Sequence, residues 1–126
     1  MKIKLTSIPV KDPIKAFEFY TKTLGFQELM YMPEAQLAIV VSPEDPKGTA
    51  LLLEPQGADF VVTFQKAVYD KGLPFIVLGS EDVSAEYVKL KDKGVVFKQE
   101  PTKTDWGIIA MFDDTFGNYI QIHQDL

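Results

Sequence analysis

The feature that most constrains the fold is an internal repeat. Asp12 and Asp82 are 70 residues apart, and each stands before a segment with the apolar spacing of a helix. Each aspartate follows one segment with strand-like alternation and precedes three more, so both halves predict the order strand, helix, strand, strand, strand. Since each half alone has an apolar face that it cannot bury, a repeat of this length indicates two related structural modules.

The predicted helices have matching signals at their ends. In "KDPIKAFEFYTKTLGF", Asp12 is a suitable N-cap, Pro13 fits the first helical position and Gly25 fits a left-handed stop. Asp82 and Gly94 bound the second helix in the same way. The apolar stripes predicted for burial are Ile14, Phe17, Tyr20 and Leu24 in the first helix and Val83, Tyr87 and Leu90 in the second.

The remaining segments predict strands and one linker. Strand patterns occur in "KIKLTSIPV", "QELMYM", "QLAIVVS", "TALLLEP", "LPFIVLGS", "VVFKQE", "WGIIAMFDD" and "NYIQIHQ". We expect one domain over residues 1–126, with module one at about 1–56, a linker at about 57–72 and module two at about 73–124. The linker is too long for a tight turn, so we expect a short helix in it with Phe64, Ala67 and Val68 facing inward.

Composition excludes several classes of function. The 126 residues are 46% hydrophobic and 25% charged, which is typical of a globular domain. The net charge of −5 disfavours nucleic-acid binding, and the chain has no cysteine for thiolate catalysis or cysteine-ligated metals. No apolar run approaches the ~20 residues of a membrane span. We therefore expect a cytoplasmic protein without a nucleic-acid or membrane partner.

Two motifs carry a resemblance to a known family. The first helix has the pattern D-x-x-x-A-x-x-F-Y-x-x-x-L-G-F, and residues 114–118 form a D-x-x-G-N turn. With the tandem repeat, they resemble the vicinal oxygen chelate superfamily, which includes glyoxalase I, bleomycin-resistance proteins and extradiol dioxygenases. The resemblance implies an α+β fold of tandem βαβββ modules. Their curved mixed sheets surround a cavity, with the helices on the convex side, and two chains commonly form a homodimer.

The resemblance also implies where a metal would bind. The family's metal enzymes place ligands on the first and last strands of each module, and these positions fall on Leu5, on Glu54 or Leu52, on Phe75 and on Gln121. Strand parity leaves the choice between Leu52 and Glu54 open. Because leucine and phenylalanine cannot ligate a metal, we expect no cofactor. The alternative is a divalent metal held by Glu54, Gln121 and His123.

Polar residues on the last strand are the main candidates for ligand contacts. Gln121 has an amide that donates and accepts hydrogen bonds, which suits a neutral or mixed polar ligand. His123 is the only histidine; it is either a proton donor to a ligand or a half-hydrated residue at a strand end. Glu54 is either a partner for a cationic group or a solvated strand end. Trp106 is either a pocket wall or an aromatic at a core edge or dimer contact.

The sequence thus predicts a small-molecule-binding protein, metal-independent, that sequesters a partly aromatic ligand. The alternative is a metal-dependent lyase or isomerase of the glyoxalase type that acts on a small carbonyl substrate. No catalytic residue is assigned. The predicted ligand-binding residues are Leu5, Ser7, Glu54, Phe75, Trp106, Tyr119, Gln121 and His123.

Overall fold

The computed structural model describes residues 1–126 and contains eight strands, three α-helices and two other short helical turns. Early in the chain, β1 is Leu5–Val10, α1 is Pro13–Glu18, β2 is Gln27–Met32, β3 is Leu37–Val41 and β4 is Ala50–Pro55. They are followed by α2 at Asp59–Asp70, β5 at Pro74–Gly79, α3 at Val83–Asp92, β6 at Phe97–Lys103, β7 at Gly107–Asp113 and β8 at Tyr119–Asp125.

The strands form two mixed four-stranded sheets with the same connectivity. Their orders are β1-β4-β3-β2 and β5-β8-β7-β6. In each sheet the first and last strands of the module run parallel and the other pairs are antiparallel. This architecture confirms the α+β prediction of tandem βαβββ modules. The chain divides into two compact units, Met1–Val62 and Thr63–Leu126.

Helix α1 begins as the sequence predicts and ends in a wider turn. Asp12 accepts hydrogen bonds from the backbone N–H groups of Ile14 and Lys15, both at 3.1 Å. The helix continues as a π-helical turn over Phe19–Thr23 and stops at Gly25, whose φ is +88°. Tyr20 is fully buried, as predicted. Ile14 is 39% exposed, so its predicted burial is wrong, because Pro13 and Ala16 take the buried positions of the first turn.

Helix α3 repeats this arrangement in the second unit. Asp82 accepts a hydrogen bond from the N–H of Ala85 at 2.9 Å, and Gly94 ends the segment with a φ of +90°. Val83 and Leu90 are buried as predicted. Both helices begin at a capping aspartate and are followed by a glycine with positive φ, which confirms that the repeat seen in the sequence is structural.

Alternating residues give each sheet one covered and one open face. In the first unit, Ile8, Val10, Val40 and Leu53 are fully buried on the side where α1 packs. In the second unit, Phe112 and Ile120 are fully buried on the corresponding side, where α3 packs. We call the opposite side of each sheet its open face. Residues of β1 and β8 on the open faces are among those predicted to contact a ligand.

Helix α2 is longer than the predicted linker helix and presents a different side to the second unit. Ala67 is exposed, so its predicted inward orientation is wrong, and Phe64 is 59% exposed although its ring contacts Phe75. Gln65 is buried instead. Its Nε2 donates hydrogen bonds to Asn118 Oδ1 at 3.0 Å and to the Phe116 carbonyl at 3.4 Å. The hydrogen bonds of Gln65 therefore help to set which side of α2 faces inward.

The partner of Gln65 is the D-x-x-G-N turn between β7 and β8. Asp114 is fully buried and accepts hydrogen bonds from the backbone N–H groups of Phe116 and Asn118 and from the Asn118 side chain. Gly117 has a φ of +106°, and a Cβ there would lie 2.7 Å from Gln65 Nε2. The turn needs glycine both for its backbone conformation and for the approach of α2.

None of the helices has the length and apolar character that crossing a bilayer requires.

Candidate functional site

The open face of the first sheet is mainly apolar, with the polar side chains of Ser7, Gln27 and Glu54. Leu5 lies opposite Ala50 and is 47% exposed, and Ser7 lies opposite Leu52. Glu54 follows on the same face, opposite Pro9, and is exposed. Three of the predicted ligand-binding residues therefore share one face of this sheet, and Leu52 and Glu54 both lie on it.

A metal site was the sequence-based alternative, and the donor set does not fit one. No group of three or more His, Cys, Asp or Glu side chains is arranged to hold a metal ion. Leu5 and Phe75 present hydrocarbon at two of the four positions implied by the family resemblance. Divalent metals in such enzymes need imidazole, carboxylate or amide donors at these positions. The residues present do not fit a metal, and no chemical step is derived through one.

The open face of the second sheet contains a row of four residues from four adjacent strands. Gln121 of β8 lies opposite Val77 of β5 on one side and Met111 of β7 on the other, and Gln99 of β6 lies opposite Met111. We call these four residues the amide row. Val77 is 55% exposed, both glutamines are half-buried, and Met111 is nearly buried between them. The row presents two neutral amides and an apolar surface.

The next row toward the end of β8 contains His123. It pairs with Gly79 of β5 and Ile109 of β7. The His123 Nε2 atom lies 3.2 Å from Asp125 Oδ1, and the two side chains are 24% and 96% exposed. The imidazole also lies against Gly107, where a Cβ would be 2.8 Å from Nε2. His123 is therefore held at the strand end by a carboxylate and by the space that a glycine leaves.

On the other side of the amide row, helix α2 covers the open face with aromatic rings. The Tyr69 ring stacks on Tyr119 with centroids 4.3 Å apart and an angle of 3° between planes. The Tyr69 hydroxyl donates a 2.6 Å hydrogen bond to the Asp113 carboxylate, which raises the pKa of Tyr69. Phe64 meets Phe75 edge to face at 5.8 Å. Tyr119 and Phe75, two predicted ligand contacts, thus already pack against the chain's own aromatic residues.

A lysine also contacts this aromatic cluster. The Lys98 ammonium lies 4.7 Å from the centroid of the Tyr119 ring, a cation–π distance. Lys98 precedes Gln99 at a register shift in β6. The positive charge is therefore directed to the Tyr119 end of the face, and the amide row itself carries no charged side chain.

Trp106 lies in the turn between β6 and β7 and is 84% exposed. The turn is held by Thr104, whose Oγ1 accepts hydrogen bonds from the N–H groups of Trp106 and Gly107. The same hydroxyl donates to the Gly107 carbonyl at 2.8 Å. The indole is thus presented on an ordered turn whose last residue, Gly107, contacts His123.

Sequence reasoning missed Gln99 and Tyr69 as candidate site residues. Gln99 lies in a strand that the pattern predicted, but two register shifts in β6 change which side chains reach the open face. Tyr69 was assigned to the linker. The sequence signal that could have identified Tyr69 is its spacing from Gln65, which places both on one side of α2. This spacing does not show which residues they contact.

The chemistry available on these faces is recognition by shape and hydrogen bonding. Hydrocarbon side chains supply most of the surface, and Ser7, Gln121, Gln99 and His123 supply a few directional polar groups. This mixture is typical of sites that hold small organic molecules.

Comparison with known protein families gives a match over most of the chain. The sequence profile of the Glyoxalase/Bleomycin resistance protein/Dioxygenase superfamily matches residues 2–122. The YurT protein of Bacillus subtilis (strain 168) is 48% identical, over 98% of this chain and 99% of that protein.

Solved structures give the same result. The crystal structure of UcmS2 superposes with a TM-score of 0.83 at 28% identity, covering 99% of this chain and 98% of that one. The structure of TnmS3, an antibiotic binding protein from Streptomyces sp. CB03234, superposes with a TM-score of 0.76 at 29% identity, covering 100% and 97%. Both similarities extend over the two modules.

Proposed function

Because the chain belongs to the glyoxalase/bleomycin resistance protein/dioxygenase superfamily, we propose that it binds a small, partly aromatic molecule without a metal and acts by sequestering it. The observation that carries the proposal is the composition of the open faces. Apolar side chains such as Leu5 and Val77 are 47% and 55% exposed there, beside the uncharged polar groups of Ser7 and Gln121. Exposed apolar surface next to a few polar groups favours binding of an organic ligand.

The comparisons support the same class of ligand. TnmS3 is described as an antibiotic binding protein, and it matches this chain over nearly its whole length. The proposed contacts are the residues predicted from sequence, namely Leu5, Ser7, Glu54, Phe75, Trp106, Tyr119, Gln121 and His123. Among these, Phe75 and Tyr119 would contribute through the aromatic cluster that they form with α2.

A ligand screen tests the proposal. Thermal unfolding of the purified protein is followed with a library of small aromatic compounds and antibiotics, because a ligand of the native state raises the unfolding temperature by mass action. We expect concentration-dependent stabilisation by partly aromatic members of the library. Gln121→Leu should reduce the shift, whereas Ser84→Leu places a leucine at an exposed position of α3, on the covered side of the second sheet, and should not. A library that produces no shift contradicts the proposal.

Elemental analysis separates this function from the enzymatic alternative. We expect no stoichiometric zinc, nickel, manganese or iron after dialysis. A retained stoichiometric ion that is lost in Glu54→Gln or His123→Gln variants would instead favour a lyase or isomerase acting on a small carbonyl substrate. We further propose that the protein is cytoplasmic and forms a homodimer.

A further inference from the structure

We propose that the amide row selects an uncharged, flat ring system that carries hydrogen-bonding groups at two opposite edges, with Gln99 and Gln121 each contacting one edge. The inference rests on the proposed function and specifies its ligand. It assigns a binding role to Gln99, which the sequence patterns did not identify.

The two amides are placed symmetrically about an apolar centre. Gln99 and Gln121 lie opposite Met111 on its two sides. Adjacent strands are ~4.8 Å apart, so the two glutamines are separated by about 10 Å across the sheet. A ligand that lies over Met111 therefore meets one amide at each side. This geometry matches a molecule about as wide as two fused rings with a polar group at each end.

Both amides are open to an outside partner. Neither side chain makes a hydrogen bond within the chain, and both residues are half-buried. The other polar groups on this face are already engaged: Asp113 accepts from Tyr69 and from the Thr115 backbone, and His123 contacts Asp125. The glutamines are thus the groups of this face that are left to determine which ligand fits.

The surroundings favour an uncharged ligand. A primary amide donates and accepts but provides no countercharge, and placing a charged group against a partly buried apolar surface without one is costly. The nearest cation, Lys98, lies over the Tyr119 ring, and the exposed Asp125 carboxylate lies beside His123. The charged side chains therefore lie beside the two neighbouring rows. The amide row itself, formed by Val77, Gln121, Met111 and Gln99, has none.

The neighbouring rows also limit the space on the face that a ligand can occupy. On one side, the stacked rings of Tyr69 and Tyr119 occupy the face and form an aromatic wall. On the other side stands the His123 imidazole, which is fixed against Gly107. Val77 offers apolar contact between these limits. A flat ring fits this space better than a branched or flexible chain, because one surface of the ring can cover Val77 while its edges reach the amides.

The test uses three probes that differ only in their edge groups. 2,6-Dihydroxynaphthalene has a hydroxyl at both ends, 2-naphthol has one, and naphthalene has none. Isothermal titration calorimetry with the full-length protein should give a Kd that weakens about tenfold for each hydroxyl removed, as expected for one net hydrogen bond per amide. The charged analogue 2,6-naphthalenedicarboxylate should bind more weakly than the dihydroxy compound.

Variants then assign each edge to a residue. Gln99→Leu and Gln121→Leu should each weaken binding of 2,6-dihydroxynaphthalene about tenfold and leave naphthalene unchanged, and the double variant should bind the three neutral probes about equally. Ser84→Leu on the exposed surface of α3 is the control and should not change any Kd. Circular dichroism and urea unfolding check that each variant is folded. The Kd values of the three neutral probes for the wild type show whether the polar edges are recognised. This result does not depend on whether a variant folds.

Several outcomes overturn the inference. Equal Kd values for the three neutral probes in the wild type would show that the edges are not recognised, while leaving aromatic binding intact. A Gln99→Leu variant that keeps the wild-type preference would remove Gln99 from the site, and tighter binding of the dicarboxylate would contradict the preference for an uncharged ligand. If no probe binds up to its solubility limit, the inference fails, and the library screen described above decides separately whether the proposed function fails with it.

Discussion

Tyr69 connects helix α2 to the second sheet through both its ring and its hydroxyl. The ring stacks on Tyr119, and the hydroxyl donates to Asp113, which raises the pKa of Tyr69 above its ordinary value of 10.0. The stabilisation from this bond is therefore fully present below about pH 10. It is lost as the pH rises further, because the unfolded chain then releases the tyrosine proton before the folded chain does.

Replacing Tyr69 by phenylalanine should reveal this linkage. Tyr69→Phe keeps the stacked ring and should lower the free energy of unfolding by about 1 kcal/mol at pH 7. The difference from the wild type should shrink above pH 10, as measured by urea unfolding over a pH series. Tyr87→Phe is a control that removes a longer, exposed contact of 3.4 Å to Glu100 and should have a smaller effect. A Tyr69→Phe difference that stays constant above pH 10 contradicts this account.

Two strand glycines that flank His123 make a matched pair for the role of close packing. A Cβ on Gly107 would lie 2.2 Å from the Gln124 carbonyl oxygen, so the backbone would have to move, whereas a Cβ on Gly79 meets nothing within 4 Å. Gly107→Ala should therefore destabilise the protein by about 1–3 kcal/mol. Gly79→Ala should cause no loss of stability. Urea denaturation of the two variants checks both expectations, and equal effects would mean that the contacts at Gly107 are not limiting.

At the scale of elements, the two modules use the same helix start with different numbers of hydrogen bonds. Asp12 accepts from two backbone N–H groups of α1, and Asp82 accepts from one in α3. The N–H of Val83 is satisfied by the side chain of Gln124 at 2.9 Å instead. The second cap is thus shared between the helix start and the last strand, so a single substitution there leaves one helix donor still paired.

This difference predicts unequal costs for removing the caps. Asp12→Ala should lower the free energy of unfolding by about 1–2 kcal/mol and Asp82→Ala by about 0.5–1 kcal/mol. Asp92→Ala removes an exposed carboxylate at the end of α3, where negative charge is unfavourable, and should be neutral or slightly stabilising. Chemical denaturation of the three variants measures the order. A larger loss for Asp82→Ala than for Asp12→Ala would show that the cap hydrogen bonds do not set these stabilities.

At the scale of the whole molecule, exposed apolar residues on an edge strand favour self-association. Strand β2 is at the edge of the first sheet, and its Leu29, Met30 and Met32 are 54%, 45% and 43% exposed. Edge strand β6 of the other sheet instead carries two lysines, a proline and two register shifts, which protect an edge from pairing. Of these two edge strands, β2 has the apolar surface of a contact between chains.

We therefore predict a homodimer that involves β2. Light scattering on a sizing column at micromolar concentration should give twice the chain mass of 14.2 kDa. Met30→Lys should shift the population toward the monomer by placing a charge in the contact. Val88→Lys places the same charge on an apolar residue of α3 that is 58% exposed and should leave the mass unchanged. A mass of one chain at all concentrations contradicts the prediction.

Local sequence determined the elements of this protein. Aspartate caps, the proline at the helix start and the glycine stops act within a few residues of each other, so they can be recognised in the sequence alone. Alternation along β1 and β8 likewise separates buried residues such as Ile8 and Ile120 from those of the open face. The repeat of these local signals was sufficient to predict two βαβββ modules.

Tertiary structure alone decided which side chains meet on the open face. The position of Gln99 depends on register shifts in β6, and the cover over Tyr119 depends on α2 packing through Gln65 and Tyr69. Both follow from contacts between residues more than ten positions apart, such as Tyr69 with Asp113. A periodic pattern reports which side of its own element a residue occupies, and it contains no information on the partner that another element brings to that side.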